Sequence, residues 1–348
     1  MTTPAASPAA VPDVGIRVPP CAPAGQVVET VRRAERLGFD QAWFPDSQLL
    51  WRDVFTTLTA ATLGTGRIGL GTAVTNLATR HPAVLASAAR SVAELAEGRF
   101  TLGLGVGNSS VGPVGMRPST GAEMRSGIAT LRALLDGEEW DFGGGAVSRL
   151  RDPARVPLFM AASGPRNLRL AGEIADGVVL LSGVSPDTLA DASARVRDGA
   201  LAAGRAPVPL VASAYCAVTD DVERAARQLK PICASIAQTG GTKALALAGI
   251  DLDVPDRVGG VYPDLVHAED WESAVAICSR WVSDEAAAAF ARAFCLFGTA
   301  EEIAARLRGL GAAGVRGVYL QHVGSYDLPH ELIDTVGEGV LPLLREGA

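Results

Sequence analysis

The chain reads as an α/β protein built from eight strand–helix units, a (β/α)8 (TIM) barrel with insertions. Three observations predict this. Short apolar runs alternate with amphipathic helical stretches across 348 residues. Small polar residues and glycines follow the carboxyl end of nearly every strand, which is where ligands bind in parallel α/β folds. The first strand ends in Pro19-Pro20-Cys21, where an open doubly wound sheet, the other architecture compatible with the alternation, is expected to carry a glycine fingerprint.

Strand one is expected at 14–18, followed by a helix at 26–37. Strand two covers 39–44 and its helix 54–63. Strand three (68–74) ends in Thr75 and Asn76. The helix after it opens at Pro82, a position whose missing N–H is not needed. Strand four (100–106) ends in Gly107-Asn108, and a helix follows at 122–135. Residues 137–155 carry Gly143-Gly144-Gly145 and charged ends, and read as an excursion with a small hairpin. Strand five (156–162) runs into Ser163-Gly164-Pro165 and a helix to 175. Strand six (178–181) precedes Ser182-Gly183 and a helix between 186 and 203. Strand seven is 210–218. A helical insertion with an irregular middle spans about 221–293. A helix at 300–310, strand eight at 315–320 and a last helix near 330–344 complete the pattern. Residues 1–12 read as a flexible tail, and 13–348 as a single barrel domain.

Composition narrows the function. The chain is 48% hydrophobic and 20% charged, with a net charge of −7 and no dense basic run. A sizeable core is expected, and nucleic acid and membranes are not expected partners. The opening residues lack the basic and apolar regions of a secretory signal. The five cysteines have no CxxC pair, so the simplest reading is reduced thiols in the cytoplasm. The four histidines show no metal-ligand spacing, and no metal is expected. A small-molecule substrate is. Whether the chain forms a homodimer stays open.

In a barrel the strand ends share one mouth. Asp46 and Ser47 come from strand two, Thr75 and Asn76 from strand three, and Gly107, Asn108 and Ser109 from strand four. Ser163, Gly164 and Pro165 come from strand five, Ser182 and Gly183 from strand six, and Gln321 and His322 from strand eight. Such a mouth lets a large flat ligand approach the backbone closely. Ser163-Gly164-Pro165 opens a helix and suits a phosphate, or is an ordinary N-cap and turn. Asp46 is a catalytic or cofactor-contacting carboxylate, or the cap of the next turn. His322 is a proton donor, or a structural or merely exposed histidine. Trp51 lies on a mouth loop where it can cover a ring. His81, before Pro82, looks structural.

Five segments carry a family resemblance: GTAVTN with RHPAV (71–84), ELAEGRFTLGLGVG (94–107), ASGPRNLRLAGEIADGVVL (162–180), FGTAEEI (297–303) and LGAAGVRGVYL (310–320). In this order they resemble the luciferase-like superfamily of flavin and deazaflavin enzymes. Within it they are most similar to the methylenetetrahydromethanopterin reductases that use coenzyme F420. The resemblance implies a (β/α)8 barrel with the cofactor ring at its mouth. It implies a bulge after strand three, with a non-prolyl cis peptide at Ala73–Val74, behind the ring. It places Asp46 at the ring's polar edge and Thr75, Gly107 and Asn108 beside it. Ala162, Ser163, Gly164, Pro165, Ser182, Gly183 and Val184 fall near the cofactor tail. Trp51, Asn108, Gln321 and His322 fall near substrate, and Asp46, Ser47 and His322 near the chemistry.

Three departures stand out. Ser47 replaces a histidine found in relatives that oxidise a sugar phosphate or an alcohol. Asn108-Ser109-Ser110 replaces a loop that often carries an acidic residue. Val184 falls where some relatives place a cation. The expected activity is hydride transfer from reduced F420 to a C=N, C=C or C=O bond of a small molecule, in specialised metabolism. The alternatives are an FMN-dependent luciferase-like monooxygenase and a non-catalytic flavin-binding barrel.

Overall fold

The computed structural model describes residues 11–346. The strands are β1 (Asp13–Arg17), β2 (Gln41–Phe44), β3 (Gly69–Thr72), β4 (Thr75–Asn76), β5 (Phe100–Gly105), β6 (Trp140–Asp141), β7 (Val147–Ser148), β8 (Leu158–Ala162), β9 (Gly177–Leu180), β10 (Leu210–Val218), β11 (Leu296–Gly298) and β12 (Gly317–Gln321). Eight of them, β1-β2-β3-β5-β8-β9-β10-β12 in spatial order, pair in parallel. β12 meets β1 again, so the sheet closes as a barrel. The (β/α)8 expectation is met. β6 and β7 form the hairpin expected in the glycine-rich excursion. β11 was not expected; its three residues extend the sheet along the far end of β10.

Helices fill the connections: α1 (Ala24–Leu37), α2 (Val54–Gly64), α3 (Pro82–Ala96), α4 (Gly121–Leu135), α5 (Pro165–Ile174) and α6 (Pro186–Ala202). The insertion after β10 holds α7 (Val222–Ala226), α8 (Lys230–Gln238), α9 (Thr242–Leu247), α10 (Trp271–Cys278) and α11 (Asp284–Phe294). α12 (Ala300–Ala312), α13 (His330–Thr335) and α14 (Leu341–Arg345) follow. Asp53 caps α2 through its carboxylate, His81 caps α3 through its ring nitrogen, and Thr120 with Glu123 forms a capping box on α4. The structural reading of His81 therefore holds. The expected tail lies outside the described residues apart from Val11 and Pro12.

Strand alternation divides the core. Outward-facing residues such as Val14, Leu70, Leu102 and Ala162 pack against the helices. Inward-facing Trp43, Ala161, Val179, Val211 and Tyr319 fill the barrel. Glycines make room for the large inward residues: a Cβ on Gly15 would lie 2.7 Å from the Trp43 indole, and one on Gly177 2.3 Å from the Phe159 ring. The insertion has its own core around Ile232, Leu245, Cys278 and Phe290.

The feature that shapes the mouth is the break after β3. The chain leaves β3 at Thr72, passes the cis peptide Ala73–Val74, and pairs again as β4 with β5. Glycines of β5 make space for it. A Cβ on Gly103 would stand 2.1 Å from the Thr72 carbonyl oxygen, and one on Gly105 2.6 Å from Val74. Thr72 Oγ1 donates to the Gly103 carbonyl at 2.7 Å and accepts from the Gly103 N–H at 2.9 Å. Gly103→Ala should therefore lower stability by about 1–3 kcal/mol, the usual range for overpacking. Urea unfolding checks this; an unchanged midpoint would show that the two strands separate freely.

Candidate functional site

The mouth at the strand carboxyl ends is a cavity of about 270 Å³, close to the lower end of ligand pockets at roughly 300 Å³. Its floor is the Ala73–Val74 turn with Ala161 and Val179, which is apolar. Around this floor stand Asp46, Ser47, Thr75, Asn76, the loop Gly107–Ser110, Ser163, Tyr215 and Gln321.

Asp46 is 5% exposed. Its carboxylate accepts from Thr75 Oγ1 at 2.7 Å and from Arg80 Nε at 3.0 Å and Nη2 at 3.2 Å. Arg80 reaches on to Asp53 at 2.9 Å and lies over the Phe55 ring. Asp46 is thus a held, charge-compensated carboxylate facing the mouth. The cap of the next helix is Asp53, so the capping alternative for Asp46 falls away. Burial would raise the Asp53 carboxyl, but the Thr56 N–H and Arg80 outweigh it and hold it below its ordinary value.

The other hydroxyls and amides interlock. Ser47 Oγ and Ser109 Oγ are 2.7 Å apart. Gln48 donates to the Ser110 carbonyl, and Asn76 donates to Ser110 Oγ at 3.0 Å. Asn76 Oδ1 in turn accepts from the backbone of Ala78 and Thr79. Gly107 takes φ +85°, a left-handed turn that suits glycine, and it swings Asn108 and Ser109 to the mouth. Gln321 donates to Ser213 Oγ at 2.7 Å, and Trp51 Nε1 donates to the Ser325 carbonyl at 2.7 Å.

The cofactor-tail residues divide. Ser163 lines the cavity together with Asn167 of α5, which the sequence reading did not include. Ser163 is not the N-cap of α5; Gly164 is, with no side-chain cap. Gly164, Pro165, Ser182, Gly183 and Val184 do not line the cavity. Ala162 turns outward into the helix-facing core, and its neighbour Ala161 faces the mouth in its place. Gly183 packs against the end of α11, and the Val184 N–H donates to the Ala293 carbonyl. Those last contacts follow from the insertion folding back on β9, which no local pattern announces.

His322 is also displaced. Gln321 points into the mouth, and His322, one residue on, does not line it. Both ring nitrogens are buried without a hydrogen-bond partner. Burial, aided by the Arg17 charge, pushes its pKa down to about 3. The ring is neutral at physiological pH, which is unsuited to the proton-donor role expected of it.

Several mouth residues escaped the sequence reading. Arg17 ends β1 and is 5% exposed. Its Nη1 donates to the Gly324 carbonyl at 3.1 Å, and its guanidinium lies over the Trp51 ring. Burial pushes Tyr215 up to about 12 and raises Tyr319 further, so both hydroxyls keep their protons. Val266 and His267 reach the mouth from the insertion, with His267 edge-on to Trp51 and its Nδ1 against the Asp264 carboxylate.

This is a (β/α)8 barrel with one polar, ring-sized site at the carboxyl ends of its strands. The chain belongs to the luciferase-like monooxygenase family, matching it over residues 4–317. It is 32% identical to 5,10-methylenetetrahydromethanopterin reductase of Methanolobus tindarius over 71% of this chain and 78% of that one. It is 28% identical to the Archaeoglobus fulgidus enzyme of the same name over 90% and 94%. An F420-dependent glucose-6-phosphate dehydrogenase of Beutenbergia cavernae shares 37% over 43% of this chain and 50% of that one. The structure of the coenzyme F420-dependent tetrahydromethanopterin reductase from Methanopyrus kandleri superposes with a TM-score of 0.78 at 22% identity, covering 97% and 100% of the two chains.

The His322 environment predicts a pH effect on stability. The unfolded chain takes up a proton near the ordinary value of 6.5, which the folded chain refuses until about 3. The contribution is complete above pH 6.5 and lost as pH falls through that window. Between pH 7 and pH 5 it amounts to about 2 kcal/mol. His322→Gln should unfold with a correspondingly flatter pH dependence. Equal slopes in wild type and variant would place the ring in water.

Proposed function

We propose that this protein is a deazaflavin-dependent oxidoreductase that moves hydride between coenzyme F420 and a C=N, C=C or C=O bond of a small molecule. The observation that carries this reading is the held Asp46 carboxylate beside the apolar Ala73–Val74 floor. A flat tricyclic ring fits such a floor, and its polar edge can face Asp46, Thr75 and Arg80. Ser163 and Asn167 lie on the side where the cofactor tail would leave. The relatives named for F420 support the same assignment. FMN shares the fold and is the rival cofactor; a non-catalytic flavin-binding barrel is the rival role.

When bound, F420 supplies the hydride donor or acceptor chemistry, which belongs to the cofactor. The protein orients and excludes water. Ala73 and Val74 would back the ring, and Trp51, Tyr215 and Gln321 line the rest of the mouth where substrate would enter. Asp46 is occupied by Thr75 and Arg80. With His322 neutral and turned away, Ser47 and Ser109 are the mouth hydroxyls placed to hand a solvent proton inward. They act by position, since neither titrates near neutrality.

Titration of the purified protein separates the readings. F420 should bind at least about tenfold more tightly than FMN, a difference of about 1.4 kcal/mol. Tighter FMN binding with oxygen consumption by the reduced complex would replace this proposal with the monooxygenase. F420 binding without turnover across imine, enone and ketone panels would leave a binding barrel.

A further inference from the structure

The barrel is closed, so each strand has an opposite. β8, which Ser163 follows, stands four places around the ring from β1, half a turn away. If the cofactor tail leaves over β8, the substrate is left the side formed by β1, β10 and β12. That side holds Arg17, Ser213, Tyr215 and Gln321, covered by Trp51 and His267.

Arg17 is the unusual member. The other arginine near the mouth, Arg80, is matched by Asp46 and Asp53. Among the described residues no carboxylate lies within 4.0 Å of Arg17, although it is 5% exposed. His267 offers no competing site, because its ring is engaged with Asp264. The neighbouring Tyr215 and Tyr319 hydroxyls stay protonated and supply no negative charge. A buried guanidinium without a counter-ion is costly. The carbonyl of Gly324, the Tyr319 hydroxyl and the face of Trp51 offset only part of that cost. The remaining N–H fork matches a planar carboxylate.

We propose that Arg17 is the anchor for a carboxylate of the substrate, so that the reducible bond belongs to a small carboxylic acid. A single guanidinium balances a single carboxylate charge. A phosphate dianion would bring a second charge into this buried side, where among the described residues no second unpaired cation lines the cavity. The inference deepens the reading above and rests on it for the placement of cofactor and substrate on opposite sides of the mouth.

Calorimetric titration of the protein, with and without F420, with three probes tests it: benzoate, its neutral isostere benzamide, and phenyl phosphate. Benzoate should bind at least about tenfold more tightly than benzamide, and more tightly than phenyl phosphate. Arg17→Met should abolish the benzoate preference while F420 affinity stays within about twofold of wild type. Arg17→Lys, which keeps the charge and loses the fork, should retain part of it and serves also if the methionine variant does not fold. Equal binding of benzoate and benzamide, or binding of neither at millimolar concentration, overturns the proposal. Preference for phenyl phosphate overturns the carboxylate assignment. Cofactor binding is read separately by F420 fluorescence. A protein that binds F420 but does not distinguish the probes fails only this inference. One that distinguishes them without binding F420 fails only the cofactor reading.

Discussion

The mouth of this barrel depends on the close approach of β5 to the broken end of β3. Thr72 and Gly103 are joined twice through one hydroxyl, and the missing side chains of Gly103 and Gly105 let the Ala73–Val74 turn lie against β5. Without that approach β3 would continue as an ordinary strand, and Thr75 would not face Asp46. The apolar floor and the carboxylate edge are thus products of one packing event. Its energetic basis is two hydrogen bonds in a dry barrel wall, where leaving either partner unpaired would cost about 1–3 kcal/mol.

From this floor outward, charge is distributed unevenly. On the β2 and β3 side, Arg80 bridges two carboxylates, one of them buried. On the β1 side, Arg17 is positive with no acidic partner within reach among the described residues. His322 lies near enough for Arg17 to help keep it neutral. The mouth therefore presents carboxylates tied to one guanidinium on one flank and an unpaired cation on the other. Such an asymmetry orients a bound pair of molecules before any chemistry, because low dielectric strengthens each charge–charge contact.

The strand order and the hairpin were legible because they rest on local pattern, apolar runs and Gly143-Gly144-Gly145; the bulge was legible only through the family resemblance carried by GTAVTN. The mouth was legible where a residue's exit from a strand decides its position, as for Asp46, Ser47, Thr75, Asn108 and Ser163. It was not legible where side-chain direction decides. Ala161 and Gln321 face inward, so the period of two in a strand turns Ala162 and His322 away, and that alternation was a usable signal. Arg17 was passed over because it lies inside a strand, not after one. Arg80 was in view within RHPAV, but its reach back to Asp46 is a tertiary fact. β11 is too short to show a period.

The loop from the insertion is the part least foreseeable and most consequential for chemistry. Val266 and His267 lie in an irregular stretch between α9 and α10, with no apolar period to announce them. Yet Ser325 Oγ donates to the Val266 carbonyl at 3.1 Å, and Trp51 donates to the Ser325 carbonyl. Three separate segments, after β2, in the insertion and after β12, therefore close on one another above Arg17. Each contributes a backbone or ring contact and none contributes a carboxylate to the guanidinium. The closure partly shields the flank that holds Arg17, where water would screen its charge. A lid built from backbone carbonyls and aromatic rings excludes solvent while leaving the cation's remaining donors for a ligand. The same loops that hide Arg17 thereby make it an effective charge within the site.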